Sequence, residues 1–169
     1  MSMFPIASTT VGSGGASSIT FNSIPSTFTH LQVRLSFLNQ SGGGVLFSTL
    51  NGDSGSNYAW HSLYGIGASV GNLGSSSQTS MRLFGFYSGS STTSPTSVII
   101  DLLDYTNTNK YKTIKCLSGV DTNGAGEADF ASGLWMNTNS VTSLTLTPLY
   151  GGSGFSQYTT VQLYGITTA

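Results

Sequence analysis

The sequence predicts an all-β fold: an antiparallel two-sheet β-sandwich, jelly-roll-like, with roughly ten strands and no substantial helix. Three observations predict it. Apolar and polar residues alternate with a period of two through much of the chain, as on half-buried strands, and no stretch carries the helical period. Clusters of Gly, Ser, Asn and Asp punctuate these runs at short spacing, the signature of sandwiches and jelly rolls; a solenoid or propeller would show a fixed repeat. The 169 residues are 38% hydrophobic and only 7% charged, which supplies one core and is the opposite of a disordered composition.

Taken in order, residues 3–7 are short and apolar, are interrupted by Pro5, and lead into Gly12-Ser13-Gly14-Gly15. They read either as an apolar arm and glycine-rich tether (residues 1–15) ahead of a single sandwich domain (residues 16–169), or as an ordinary first strand with a loose loop. Residues 17–22 place Ile19 and Phe21 on one side before a turn at Ile24-Pro25-Ser26. The clearest strand is 29–39, with Leu31, Val33, Leu35 and Phe37 inward and His30, Gln32, Arg34 and Ser36 outward, toward water or a wet interface. Residues 41–44 turn the chain into a strand over 45–50. Residues 51–57, NGDSGSN, form a loop of residues that tolerate positive φ, and an aromatic run follows over 58–67. Residues 70–80 read as a long polar loop. Residues 79–87 are partly apolar on both sides, Met81 and Leu83 against Arg82, Phe84 and Phe86, as in a central strand between two covered faces. Residues 88–94 are a second low-complexity loop, ended by Pro95.

The segment that organises the chain is 97–119, two extended runs joined by a polar loop. With the loop at 105–109, the register pairs Ile100 with Ile114, Val98 with Cys116 and Asp104 with Lys110. Leu103 then faces Tyr111 on the other side, which predicts a second partly covered face. A turn-rich 121–126 precedes a strand near 128–136, and Asn137-Thr138-Asn139-Ser140 closes a hairpin onto 141–149, where Leu144 and Leu146 alternate with Thr145 and Thr147. Residues 151–154 turn into a last strand at 159–166.

Composition also bounds function. A net charge of −1 with five cationic residues does not furnish a nucleic-acid groove. The amino terminus has no basic and apolar leader and no segment approaches a spanning length, so neither conventional export nor membrane insertion is expected. Cys116, the only cysteine, sits on an inward face and reads as a small buried apolar group, not a nucleophile. His30 and His61 lack further ligands at workable spacing, so no metal or other cofactor is implied. Asn51, Asp53 and Asn57 have the oxygen spacing of a calcium loop but a single carboxylate, and a side-chain-capped turn explains them better. Asp101 and Asp104 point to opposite faces; Glu127 and Asp129 share one, read as a solvated edge. No nucleophile elbow or phosphate loop occurs, so no enzyme is expected. Tyr58, Trp60, His61, Tyr64 and Trp135 offer stacking faces for a sugar, against the plainer reading of packing between the sheets.

Several short segments resemble small jelly-roll virion structural proteins of tailed bacteriophages. They are residues 24–31 (IPSTFTHL), Asn51-Gly52-Asp53 with Asn57-Tyr58, residues 104–107 (DYTN) with Lys110, Lys112 and Thr113, Trp135 with Asn137-Thr138, and Leu163-Tyr164-Gly165-Ile166. The resemblance implies a non-enzymatic component on the virion, made in the host cytoplasm. It points to a capsid decoration or cement protein that binds the major capsid protein or other virion proteins, as a homotrimer. The alternative is a tail-fibre or baseplate component, or a host-glycan-binding module. On the cement reading Met3, Phe4 and Ile6 are the anchoring residues of an apolar arm laid along the shell.

Overall fold

The computed structural model describes residues 2–40, 42–86, 93–150 and 154–168. These residues hold twelve strands and no helix: β1 (Ser2–Thr10), β2 (Ile19–Phe21), β3 (His30–Phe37), β4 (Gly44–Leu50), β5 (Tyr58–Ile66), β6 (Ser69–Gln78), β7 (Met81–Phe86), β8 (Thr96–Leu102), β9 (Lys112–Asp121), β10 (Gly126–Trp135), β11 (Leu144–Leu149) and β12 (Thr160–Thr167). They form two antiparallel sheets, one of eight strands in the order β1-β12-β3-β8-β9-β10-β5-β6 and one of four in the order β2-β11-β4-β7. The protein is the β-sandwich its sequence predicts. Without β1, β12 and the β9–β10 hairpin, two four-stranded sheets remain, β3-β8-β5-β6 over β2-β11-β4-β7, a jelly-roll-like order. The hairpin is thus a wedge between β8 and β5 that widens one sheet beyond what the other covers.

The core is where period-two alternation puts it. Leu31, Val33, Leu35 and Phe37 are buried on β3, as are Leu144 and Leu146 on β11 and Val161 and Leu163 on β12. Phe37 is ringed edge-on by Phe84 and Phe155, at centroid separations of 5.8 and 5.6 Å. Cys116 is buried as expected, and burial pushes its thiol pKa strongly upward.

Four expectations are corrected. Residues 69–78 are not a loop but β6, paired along β5 through a turn at Gly67 (φ 55°). Their glycines misled because they serve close approach: a Cβ on Gly71 would lie 2.5 Å from the Tyr64 hydroxyl and one on Gly74 2.5 Å from the His61 ring. Two β5 rings lie over two β6 glycines, one on each face of the sheet, and supply the packing that the glycines lack. Next, the turn 137–140 does not close a hairpin. Both edges of β10 are already taken, by β9 and β5, so the chain crosses to the other sheet and β11 inserts between β2 and β4.

Third, the β8–β9 register is displaced by two residues, with Ile100 opposite Cys116 and Leu102 opposite Ile114. A two-residue slip keeps every side chain on its face; the displacement comes from a longer loop, which Tyr105 enters as a fully buried anchor. Lys112 fixes that loop from below, buried and donating to the carbonyls of Asn107 (2.7 Å), Lys110 (3.0 Å) and Thr138 (2.9 Å). Desolvation lowers its pKa. Asp104 and Lys110 still pair across the loop, while Leu103 and Tyr111 are both exposed, not covered. Finally, β7 has both faces covered but is an edge strand, with Met81 packed against Gly133 of β10. Residues 87–92 of the second low-complexity loop, and 151–153, lie outside the described residues.

The apolar amino terminus is an edge strand of the body. β1 pairs with β12 from Ser2 opposite Thr167 to Thr10 opposite Thr160, with an irregularity between Pro5 and Ala7. Met3 and Phe4 are exposed, Phe4 lies 6.0 Å from the Phe28 ring, and Ile6 packs partly against the core.

Candidate functional site

The wedge hairpin and its neighbours carry the unusual chemistry. On β10 the inward residues are Glu127, Asp129, Ala131, Gly133 and Trp135, all buried. Glu127 and Asp129 are therefore not on a solvated edge: the inward face of β10 lies against β7, which brings Arg82 across the sandwich to Asp129 near the start of β10. Arg82 Nη2 donates to Asp129 Oδ2 at 2.6 Å, and the same oxygen accepts the Gly85 N–H at 3.1 Å. The guanidinium also lies over the Trp60 ring, 5.9 Å from its centroid. Arg82 Nη1 and Asp129 Oδ1 are buried without a hydrogen-bond partner, so the pair is tightly made on one side and bare on the other. Burial, reinforced by the Asp129 charge and opposed by Arg82, pushes Glu127 up to about 7. These groups spend their bonds on each other across the two sheets, and what they do is join β7 to β10.

The outward residues of the same strands are the reverse. Ile99 on β8 stands opposite Leu117 on β9, Leu117 opposite Phe130 on β10, and Phe130 opposite Leu63 on β5. These four side chains are 40, 56, 44 and 63% exposed. They form one continuous apolar row across four strands; on β6 the register puts Asn72 opposite Leu63, with Val70, 90% exposed, diagonal to it. A groove of 590 Å³ runs beside the row, lined by His61, Leu63, Leu73, Phe130 and Ser132 among others. Two residues along β8 and β9, and onward over β3 and β12, the outer face is polar. Arg34 donates to Gln32 (3.0 Å), Gln32 donates to Asp101 (2.8 Å), Asp101 faces Lys115 (3.3 Å), and Arg34 covers the Tyr164 ring.

The other sequence candidates fall into structural roles. Asp53 is a turn cap, accepting from Gly55 N (2.8 Å), Asn57 Nδ2 (2.9 Å) and Trp135 Nε1 (2.7 Å). These bonds, that from Trp135 first, lower its pKa. Asn51 and Gly52 take the positive φ foreseen for them, 53° and 66°, and the Asn51 side chain bonds residues 140, 142 and 143. Among the described residues no three His, Cys, Asp or Glu side chains converge. His30 accepts the Asp104 N–H at Nδ1 (3.0 Å). Of the five stacking candidates, Tyr58 and Trp135 are buried and stacked on each other at 6.5 Å. The Tyr58 hydroxyl bonds Leu50 and Asp53, and burial pushes its pKa up to about 12. These two rings are core.

The chain matches no protein-family model, and no curated protein or solved structure is significantly similar to it. Sequence reasoning missed the apolar row. Ile99, Leu117 and Phe130 each looked like the minor apolar member of an alternating strand, and only the registers of four strands align them.

Proposed function

We propose that the protein is a non-enzymatic virion structural component of the capsid decoration or cement type, adhering to the head shell of a tailed phage through the outer face of its eight-stranded sheet. The observation that carries this reading is the exposed row Ile99-Leu117-Phe130-Leu63. Apolar side chains aligned over four strands, bordered by a polar network, have the make-up of a docking surface with an apolar centre and polar rim. The near-neutral body supports it further, since many copies pack on one shell without accumulating charge, and weak contacts multiply when repeated with the symmetry of a lattice. The resemblance of residues 24–31, 104–107 and 163–166 to phage virion proteins supplies the partner, the major capsid protein. Met3 and Phe4 on β1 provide an accessory contact at the far edge of the same sheet.

The test is cosedimentation of the purified protein with expanded, undecorated heads. Phe130→Lys and Leu117→Lys should remain folded and bind at least about tenfold more weakly, as loss of a central apolar anchor does. Met3→Ser with Phe4→Ser should weaken binding less. Deleting residues 1–11 is a poor variant, because Val11 belongs to the core. Binding unchanged by both outer-face lysines sinks the proposal, as does finding the protein only in a few copies at the tail.

A further inference from the structure

Four strands terminate the two sheets, and three of these edges are protected. β2 is only three residues long. β7 is covered, its residues 81–84 buried beneath β10. β1 carries Pro5, which has no N–H to offer, beside an irregularity in its pairing. β6 has no proline, no covering element and no shortness to protect it, and the irregularity in its pairing with β5 is confined to its last residues, 75–78, where Ser77 takes a φ of 55°. It is a ten-residue strand, SVGNLGSSSQ, without proline or charge, largely exposed on both faces and paired only on its β5 side. Natural sheets blunt free edges with Lys, Pro, bulges or short length, because an open edge presents a row of unpaired N–H and C=O groups to any extended chain.

We propose that β6 is a self-pairing interface: two copies of this chain join antiparallel, β6 to β6, about a two-fold axis perpendicular to the eight-stranded sheet. The occupant is a second copy because the same strand then satisfies itself. Antiparallel pairing needs only an extended, uncharged partner, and residues 69–75, regularly paired on their β5 side, provide one. An axis perpendicular to the sheet keeps both outer faces on one side. The two apolar rows therefore fall in line, separated by β6 and its mate, with the almost fully exposed Val70 of each copy in the gap. This two-fold replaces the three-fold that the resemblance implies, and it holds whether or not the row touches a capsid.

The experiment is light scattering on the full chain at roughly 100 µM, where a weak pair is still populated. The wild type should run at twice its 17.6 kDa chain mass. Asn72 is exposed near the strand's middle, where its two copies are opposite or diagonal neighbours across the axis. Asn72→Lys should weaken the dimer at least about tenfold with an unchanged circular dichroism spectrum, and so should Asn72→Glu. An equimolar mixture of the two should restore it, which loss of folding would not. A monomer or trimer for the wild type, a dimer indifferent to both charges, or a mixture that stays monomeric overturns the proposal. Phe130→Lys, on β10 with β5 between it and β6, should leave the dimer intact while weakening head binding, which separates this outcome from failure of the cement reading.

Discussion

Strands β3 and β10 belong to the same sheet with two strands between them, yet they obey opposite rules. β3 buries Leu31, Val33, Leu35 and Phe37 and turns Gln32, Arg34 and Ser36 outward. β10 buries Glu127 and Asp129 and turns Phe130 outward. The first is the pattern that drives a sandwich together by apolar burial. The second sets charge where it costs stability and apolar surface where it costs solubility. Departures of this kind concentrate where a protein contacts something else, and both occur on the hairpin that widens the jelly-roll-like order.

The comparison is broken most severely at the ion pair. Arg82→Met strands the Asp129 carboxylate between the sheets, and urea unfolding should show a loss of about 4 kcal/mol. Arg82→Met combined with Asp129→Leu should recover most of that, because the pair's net contribution is small once desolvation is counted. If the double variant is no better than the single, the pair is a net stabiliser and the contrast with β3 weakens. On β3 the expectation is plain: Leu35→Ala should cost about 3 kcal/mol, the ordinary loss of a buried aliphatic side chain.

A smaller effect separates the halves by pH. Unfolded, Glu127 takes up its proton near 4.5; folded, it does so near 7. The folded state therefore binds more protons between these values. Its contribution to stability is complete below about 4.5 and is lost as the pH rises through 7. After a discount for solvent at its edge, the loss should be roughly 1–2 kcal/mol. The difference in melting temperature between wild type and Glu127→Gln, followed from about pH 5 to pH 8, should change by some 4 °C; a constant difference would remove Glu127 from the account.

The smallest stability effects belong to the outer face, where Phe130→Ser and Arg34→Ser should each shift stability by no more than about 0.5 kcal/mol. Only Phe130→Ser should impair adhesion to heads. Equal binding losses for the two would mean that the polar and apolar halves of the face work as one surface.

Local alternation was enough to read the strands themselves. The inward sets of β3 and β11, the burial of Cys116 and the positive-φ turn at Asn51-Gly52 all depend on residues a few positions apart, where backbone pleat and turn sterics decide the outcome. Which strand lies beside which was not legible. β6 looked like a loop because its glycines are explained only by rings from β5. β11 looked like the mate of β10 because nothing local shows that both edges of β10 are taken. Arg82 and Asp129 are 47 residues apart, and the row from Ile99 to Leu63 exists only through three registers. The chain by itself determined an all-β sandwich and most of its core; the tertiary structure decided where charge is enclosed and where apolar surface is left open, because those outcomes rest on long-range pairing that no window of sequence contains.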